Sequence, residues 1–214
     1  MAVSSLNWLT LVAVLAPLVQ ANAAATHAHD AQAPILLDAQ STSIDLKTNS
    51  AVFSKIRISQ GAMSITADQG QASEQRSANL YFENNVRNFR GNVKITVEQG
   101  QLFSDDAQIT FVNSALSKAV VNGKPASFEQ TVAKKGKLAK GHADTIDYDA
   151  AKHLVRFSKN AYLNDGDHDI LAQSVKYDIL AQKVIAEEAE QNSQRVHITI
   201  TPPPPKTTPP KTNP

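Results

Sequence analysis

Apolar and polar residues alternate along most of the chain between residues 34 and 200. β-Branched and aromatic side chains take every second position in segments such as Ile56-Arg-Ile58, Val93-Lys-Ile95-Thr-Val97 and Ile146-Asp-Tyr148. A period of two is typical of strands with one buried face and one wet face. Short polar segments with Asn or Gly separate these stretches and indicate turns. The pattern predicts an all-β, antiparallel protein, in which only residues 187–190 are a helix candidate.

The chain also repeats itself. Residues 55–61, Lys-Ile-Arg-Ile-Ser-Gln-Gly, return in similar form at residues 94–100 as Lys-Ile-Thr-Val-Glu-Gln-Gly, and an acidic step follows each copy. Strand units of this kind bury their apolar faces by stacking on one another. The repeat therefore predicts a stack with a continuous aliphatic interior. If that interior is left partly open, it forms a groove that suits an acyl chain.

Composition narrows the class of protein. The chain has 214 residues, enough for one ordinary domain, and 42% of them are hydrophobic. Its 21 basic and 20 acidic residues leave a formal charge of +1, so no global field attracts nucleic acid. Cysteine is absent, which excludes disulfides, thiolate nucleophiles and zinc–cysteine sites. Burial and backbone pairing must hold the core together.

The two ends of the chain differ in composition from residues 34–200. Residues 1–23 hold an apolar run followed by Ala21-Asn-Ala23, the pattern of a secretory signal peptide that is cleaved near Ala23. An uncleaved membrane anchor over residues 6–23 is the alternative. We expect residues 24–33 to be a flexible mature N-terminus, residues 34–200 to form the β domain, and residues 201–214, which are rich in proline, to be a disordered tail.

Two acidic segments contain residue types that can act as acid/base groups or metal ligands. In residues 141–149, strand alternation places His142 and Asp144 on the face of Ile146, with the later aspartates on the opposite face. This separation argues against an acid/base pair. Residues 165–169 space three carboxylates like the start of a calcium loop but lack the glycine and glutamate that such a loop needs, so they predict a charged hairpin turn. We expect no catalytic site, metal or cofactor.

Five short motifs occur together in this chain: Gly-Lys-Pro-Ala-Ser-Phe-Glu-Gln at 123–130, Gly-His-Ala at 141–143, Asn-Ala-Tyr-Leu at 160–163, Val-Lys-Tyr-Asp at 175–178 and Gly-Asn-Val-Lys-Ile at 91–95. In combination they resemble the LptA/OstA family of periplasmic lipopolysaccharide-transport proteins. The resemblance covers about residues 34–202. It implies a twisted, taco-like β-jellyroll whose concave interior holds the acyl chains of lipid A, and it implies periplasmic localisation.

The resemblance also implies partners. Family members associate end to end and connect an LptC-like inner-membrane component with an LptD-like outer-membrane translocon. Burying a methylene group is worth about 0.8 kcal/mol, so a lipid with several acyl chains needs a shield between the membranes. Two other functions remain open: a membrane-anchored, LptC-like adaptor of the same fold, and a β-jellyroll enzyme that acts on glycans through paired carboxylates.

Lipid-binding residues follow from two sources. The resemblance points to family groove positions at Phe128, Ile146 and Tyr148, and to Ile35 and Leu37 at the open edge. Alternation alone adds further candidates for the groove wall, which are Ile44, Phe53, Ile56, Ile58, Ile65, Val93, Ile95, Val155 and Phe157.

Overall fold

The computed structural model describes residues 33–48, 50–73, 85–97, 100–132, 137–187 and 196–200. Within these residues all regular structure is β, which confirms the all-β antiparallel prediction. None of the described residues forms a helix of the length and apolarity that a membrane span requires. The predicted signal peptide, nearly all of the N-terminal segment and the proline-rich tail lie outside the described residues.

Twelve strands form one antiparallel sheet. They are β1 Leu36–Asp38, β2 Ser41–Asp45, β3 Ser50–Gln60, β4 Met63–Ser73, β5 Asn85–Val97, β6 Gly100–Val112, β7 Ala115–Val132, β8 Lys137–Asp149, β9 Leu154–Asn164, β10 His168–Asp178, β11 Lys183–Glu187 and β12 His197–Ile200. The eight long strands from β3 to β10 pair with their chain neighbours. At one end β1 and β2 both pair with β3, and at the other β11 and β12 both pair with β10.

Each sequence repeat is one β-hairpin. Residues 55–60 form the second half of β3 and precede the turn to β4, while residues 94–97 occupy the same place in β5 before β6. The helix candidate was wrong at its first residue, because Glu187 is the last residue of β11. Residues 188–190 lie outside the described residues.

A line of irregularities crosses the middle of the long strands, and we call it the crease. The register shifts between Thr66 and Gln69, Arg90 and Val93, Phe103 and Asp106, Asn122 and Ala126, His142 and Thr145, and Ala172 and Ser174. Residues with positive φ lie on the same line, including Lys55, Gly91, Asn92 and Asn160. Such β-bulges bend a strand, so the whole sheet bends along the crease.

The bend is sharp enough to fold the sheet into two layers. Phe128 pairs with Gly141 on β8, whereas Phe157 pairs with Ile146. In a flat sheet those two partners lie five residues apart along β8, roughly 16 Å. The rings of Phe128 and Phe157 nevertheless meet edge to face with centroids 5.9 Å apart. We call the half that includes β2 and β11 layer A, and the half that includes β1 and β12 layer B.

The facing surfaces of the two layers form the core. Phe157 and Ile146 from layer A are fully buried, and Phe128 from layer B is 1% exposed. Along the inside of the crease the buried residues are small: Ala126, Ala143 and others of the same type. The layers converge at the crease and leave little room there for larger side chains.

One predicted orientation was wrong. His142 is exposed and points outward, while Ile146 on the same strand is fully buried. Between His142 and Thr145, three steps along β8 lie opposite four steps along β9, so the register changes by one residue, and a shift of one residue exchanges the two faces of a strand. Strict alternation along β8 therefore fails at the crease.

Candidate functional site: the interior between the layers

Most of the predicted lipid-binding residues lie on the inward face. Eleven of the fourteen are buried members of one hydrophobic cluster, which are Phe53, Ile56, Ile58, Ile65, Val93, Ile95, Phe128, Ile146, Tyr148, Val155 and Phe157. Their contact with lipid remains a prediction. Their shared location shows that the expected groove wall and the core of the fold are the same surface.

The other three candidates lie at the β1–β2 end. Ile35 and Leu37 are partly buried against the core cluster. Ile44 is 50% exposed, yet it pairs with Ala51, which is buried. Directly paired residues share a face of the sheet, so Ile44 points inward. The interior is therefore uncovered at this end within the described residues.

The β12 end also has inward-facing apolar residues that are exposed. Ile198 pairs with the buried Ile170 and so faces inward, but it is 58% exposed. Ile200, two residues on, is 67% exposed on the same face. Our sequence predictions omitted both residues, although the alternation Ile198-Thr-Ile200 was the signal that could have identified them. The apolar inner face thus extends to both ends of the described sheet.

Three polar side chains are buried among the described residues, and they were also missed. They are Gln60 at 1% exposure, Arg87 at 4% and Gln130 at 8%. Arg87 pairs with Ala72 and with Ile109, which is fully buried, so it faces inward. Arg87 stands two residues before Phe89 in the alternating pattern. Because a charged side chain counts as polar, the pattern does not predict that Arg87 faces inward.

Acidic side chains at the crease serve the fold. The carboxylate of Asp68 accepts hydrogen bonds from Lys55 Nζ at 2.6 Å and from Asn92 Nδ2 at 2.7 Å. These bonds, above all the one from Lys55, hold the pKa of Asp68 below its usual value. Asn160 Nδ2 donates to Asp144 at 3.2 Å in the same way. Asp68, which follows the first repeat, and Asp144 thus stabilise the bend between neighbouring strands.

The two segments tested for chemistry also have structural roles. The ring of His142 stacks on Tyr162 with centroids 4.8 Å apart, while Asp147 pairs with Lys118 at 2.9 Å and Asp149 with Lys152 at 2.9 Å. No group of three or more metal-ligating His, Cys, Asp or Glu side chains occurs among the described residues.

Residues 165–167 form the turn between β9 and β10, which confirms the predicted hairpin. Asp165 caps this turn, since its carboxylate accepts the backbone N–H groups of Asp167 at 2.9 Å and His168 at 2.8 Å. Beside it, Tyr162 donates to Asp169 at 2.5 Å, and this hydrogen bond is the main reason that the pKa of Tyr162 is raised.

Comparison with known proteins decides the family. The protein family described as "LptA/(LptD N-terminal domain) LPS transport protein" matches residues 71–183, which is more than half of the chain. The lipopolysaccharide export system protein LptA of Escherichia coli K12 is 33% identical over 131 residues, 58% of this chain and 69% of that protein. The chain belongs to this family. The LptA protein of Shigella flexneri matches to the same extent.

This LptA-family chain is also similar to a solved structure, the crystal structure of LptH from Pseudomonas aeruginosa, described as the LptA homologous periplasmic component of a lipopolysaccharide transport device. The two chains are 20% identical with a TM-score of 0.42, and the match covers 81% of this chain and 99% of LptH. The family resemblance inferred from the motifs is confirmed by the sequence matches.

Proposed function

We propose that this protein is a periplasmic carrier of lipopolysaccharide that shields the lipid A acyl chains between its two layers and catalyses no reaction. The observation that carries this proposal is the apolar inner face, which extends along the stacked strands and stays uncovered at Ile44 and at Ile198. Membership of the family supports it. The matched relatives are named LptA, which favours the carrier over the membrane-anchored adaptor.

The chemistry of the inner face suits a moving lipid. Each buried methylene group gains about 0.8 kcal/mol, so several acyl chains are held strongly in total. The inward residues of successive hairpins are similar aliphatic side chains, as Ile56 and Ile58 of one repeat and Ile95 and Val97 of the next illustrate. An acyl chain that moves along such a surface exchanges one set of apolar contacts for an equivalent set, so no single position on the apolar face retains it.

The ends suit strand addition between copies. Because the even number of long strands makes β3 and β10 run in opposite directions, β2 and β11 also run in opposite directions. Translating one copy along the sheet therefore brings β11 beside β2 of the next copy as an antiparallel pair, and the same holds for β12 and β1 in layer B. Exposed edges accept strands in this way. We infer end-to-end self-association and equivalent contacts with LptC-like and LptD-like partners.

Photo-crosslinking in cells tests the carrier function. A photoreactive amino acid is placed at Ile44, which is inward-facing and exposed, and in a second variant at its outward-facing neighbour Ser43. Phe128 and the exposed Lys124 form a second pair of inward and outward sites. We expect lipopolysaccharide adducts at Ile44 and Phe128 and none at the controls. Equal labelling of Ile44 and Ser43, or labelling at none of the four positions in folded protein, contradicts the proposal.

A further inference from the structure

The buried polar side chains of the described residues occupy equivalent positions in their strands. Gln60 is the last residue of β3, Arg87 is the third residue of β5, and Gln130 is the third residue from the end of β7. All three lie at strand ends far from the crease, where the two layers form the free margin of the folded sheet. We call this margin the lip. Arg87 belongs to the lip of layer A, and the two glutamines belong to the lip of layer B.

Along β5, the inward-facing residue at the lip of layer A is polar, and the inward-facing residues closer to the crease are apolar. Arg87 lies four residues before Gly91 at the crease, which is roughly 13 Å for an extended strand. Between them, Phe89 is 2% exposed and faces inward, as do Val93 and Ile95 beyond the crease. A ligand with an ionic head and apolar chains matches this order, because its chains fill the depth of the interior while its head stays at the lip.

The two lip side chains have complementary chemistry. A guanidinium carries five N–H donors in a planar fork that fits a phosphate, so Arg87 can hold contacts within the chain and still present donors to a ligand. Gln130 is 8% exposed, and its Oε1 is buried without a hydrogen-bond partner in the described structure. Buried polar atoms are nearly always satisfied, and a sugar hydroxyl is a donor that this oxygen could accept.

We propose that Arg87 and Gln130 line a headgroup site at the lip, in which Arg87 of layer A binds a phosphate of the lipid and Gln130 of layer B binds a hydroxyl of its sugars. This inference rests on the proposed function, since it places the polar head of the carried lipid. The site distinguishes lipids by their phosphates, whereas the apolar interior recognises only their acyl chains.

Binding of two lipids that differ only in phosphate tests the site. The purified mature protein is titrated with bis-phosphorylated lipid A and with enzymatically dephosphorylated lipid A of the same acylation. The variants are Arg87→Leu and the more conservative Arg87→Gln, with Arg90→Leu as the control on the same strand. Arg90 is largely exposed and pairs across the outer surface with Asp106 at 3.5 Å.

We expect the parent protein and the Arg90→Leu control to prefer the phosphorylated lipid by about tenfold or more, the usual range for charge-assisted hydrogen bonds. Both Arg87 variants should lose that preference while binding the dephosphorylated lipid as before. Gln130→Leu should weaken binding of both lipids alike. Inorganic phosphate at millimolar concentration should not displace the lipid, and full displacement would instead assign a site for free anions.

An unchanged preference in the Arg87 variants overturns the headgroup site and leaves the carrier function intact. If Arg87→Leu does not fold, the same comparison is made with Arg87→Gln, whose amide keeps a polar side chain at that position. Failure of the parent protein to bind either lipid contradicts the carrier function itself. The two proposals therefore fail in different ways.

Discussion

Replacing Gly141 with alanine should separate the two layers at one contact. A Cβ atom at Gly141 would lie 2.6 Å from Cε1 and 2.8 Å from Cζ of Phe157, and 3.0 Å from the carbonyl oxygen of Tyr162. Phe157 is fully buried and its ring is held by Phe128, so it cannot swing away into solvent. Overpacking of a core costs about 1–3 kcal/mol, while the lower backbone entropy of alanine returns about 0.5–1 kcal/mol.

Because neither the buried ring nor the backbone carbonyl can move aside, the upper part of the overpacking cost applies, and the expected net loss for Gly141→Ala is about 1–2 kcal/mol. At roughly 2–4 °C per kcal/mol for a domain of this size, the melting temperature falls by roughly 2–8 °C. Urea denaturation of the mature protein gives the free energy of unfolding. Gly100→Ala is the matched control, because its Cβ would lie no closer than 3.3 Å to any neighbour, and it should change stability little.

A double-mutant cycle identifies the atom responsible. Phe157→Leu removes the ring edge that meets the new methyl group, so the two substitutions together should cost less than their sum by about 0.5–1 kcal/mol or more. Additive losses would show that Phe157 does not contact Gly141. A stable Gly141→Ala protein would refute the face-to-face packing of layers A and B at this point.

Three further outcomes follow from the structure. Ile198→Asp should weaken end-to-end association about tenfold or more in sedimentation velocity without lowering the melting temperature. The control Thr199→Asp, at the outward-facing neighbour in β12, should leave association unchanged. Hydrogen bonds from Asn164 and Tyr162 hold the pKa of Asp169 below 3.8, so this carboxylate contributes stability at neutral pH that is lost as the pH falls below that value. Asp169→Asn should therefore lose less melting temperature than the parent between about pH 7 and pH 3. Ala143→Leu should cost about 1–3 kcal/mol in urea denaturation, because the fully buried Ala143 lies inside the crease.

Alternation predicted the strands and most of the inward residues for a physical reason. A strand with one buried face has a binary pattern that any short window of sequence contains, so Ile56, Ile58 and Ile95 could be assigned to the interior without a structure. His142 could not be assigned in this way. Its orientation depends on a bulge whose position is set by pairing with β9, and that pairing involves residues distant in sequence.

Arg87 escaped prediction for a different reason. A charged side chain counts as polar in any hydropathy pattern, so alternation assigns it to the wet face unless its cross-strand partners are known. Only the register with Ala72 and Ile109 shows that it points inward. Sequence patterns thus identify most of an apolar interior but miss the few polar residues within it. Arg87 is such a residue, and we propose that it binds the polar head of the lipid.

Of the five motifs that carry the family resemblance, all but residues 175–178 reach the crease. Gly91-Asn92 adopts positive φ of 74° and 47° in β5, and the register shifts lie within or beside residues 123–126 of β7 and 141–143 of β8. A bend in every strand requires residues that tolerate left-handed backbone and small side chains inside it, whereas the groove wall requires only apolar bulk. The bend therefore restricts the choice of residue more narrowly than apolar packing on the inner face does. Differences in ligand preference among proteins with these motifs should be sought at the lip around Arg87, which belongs to none of the five motifs.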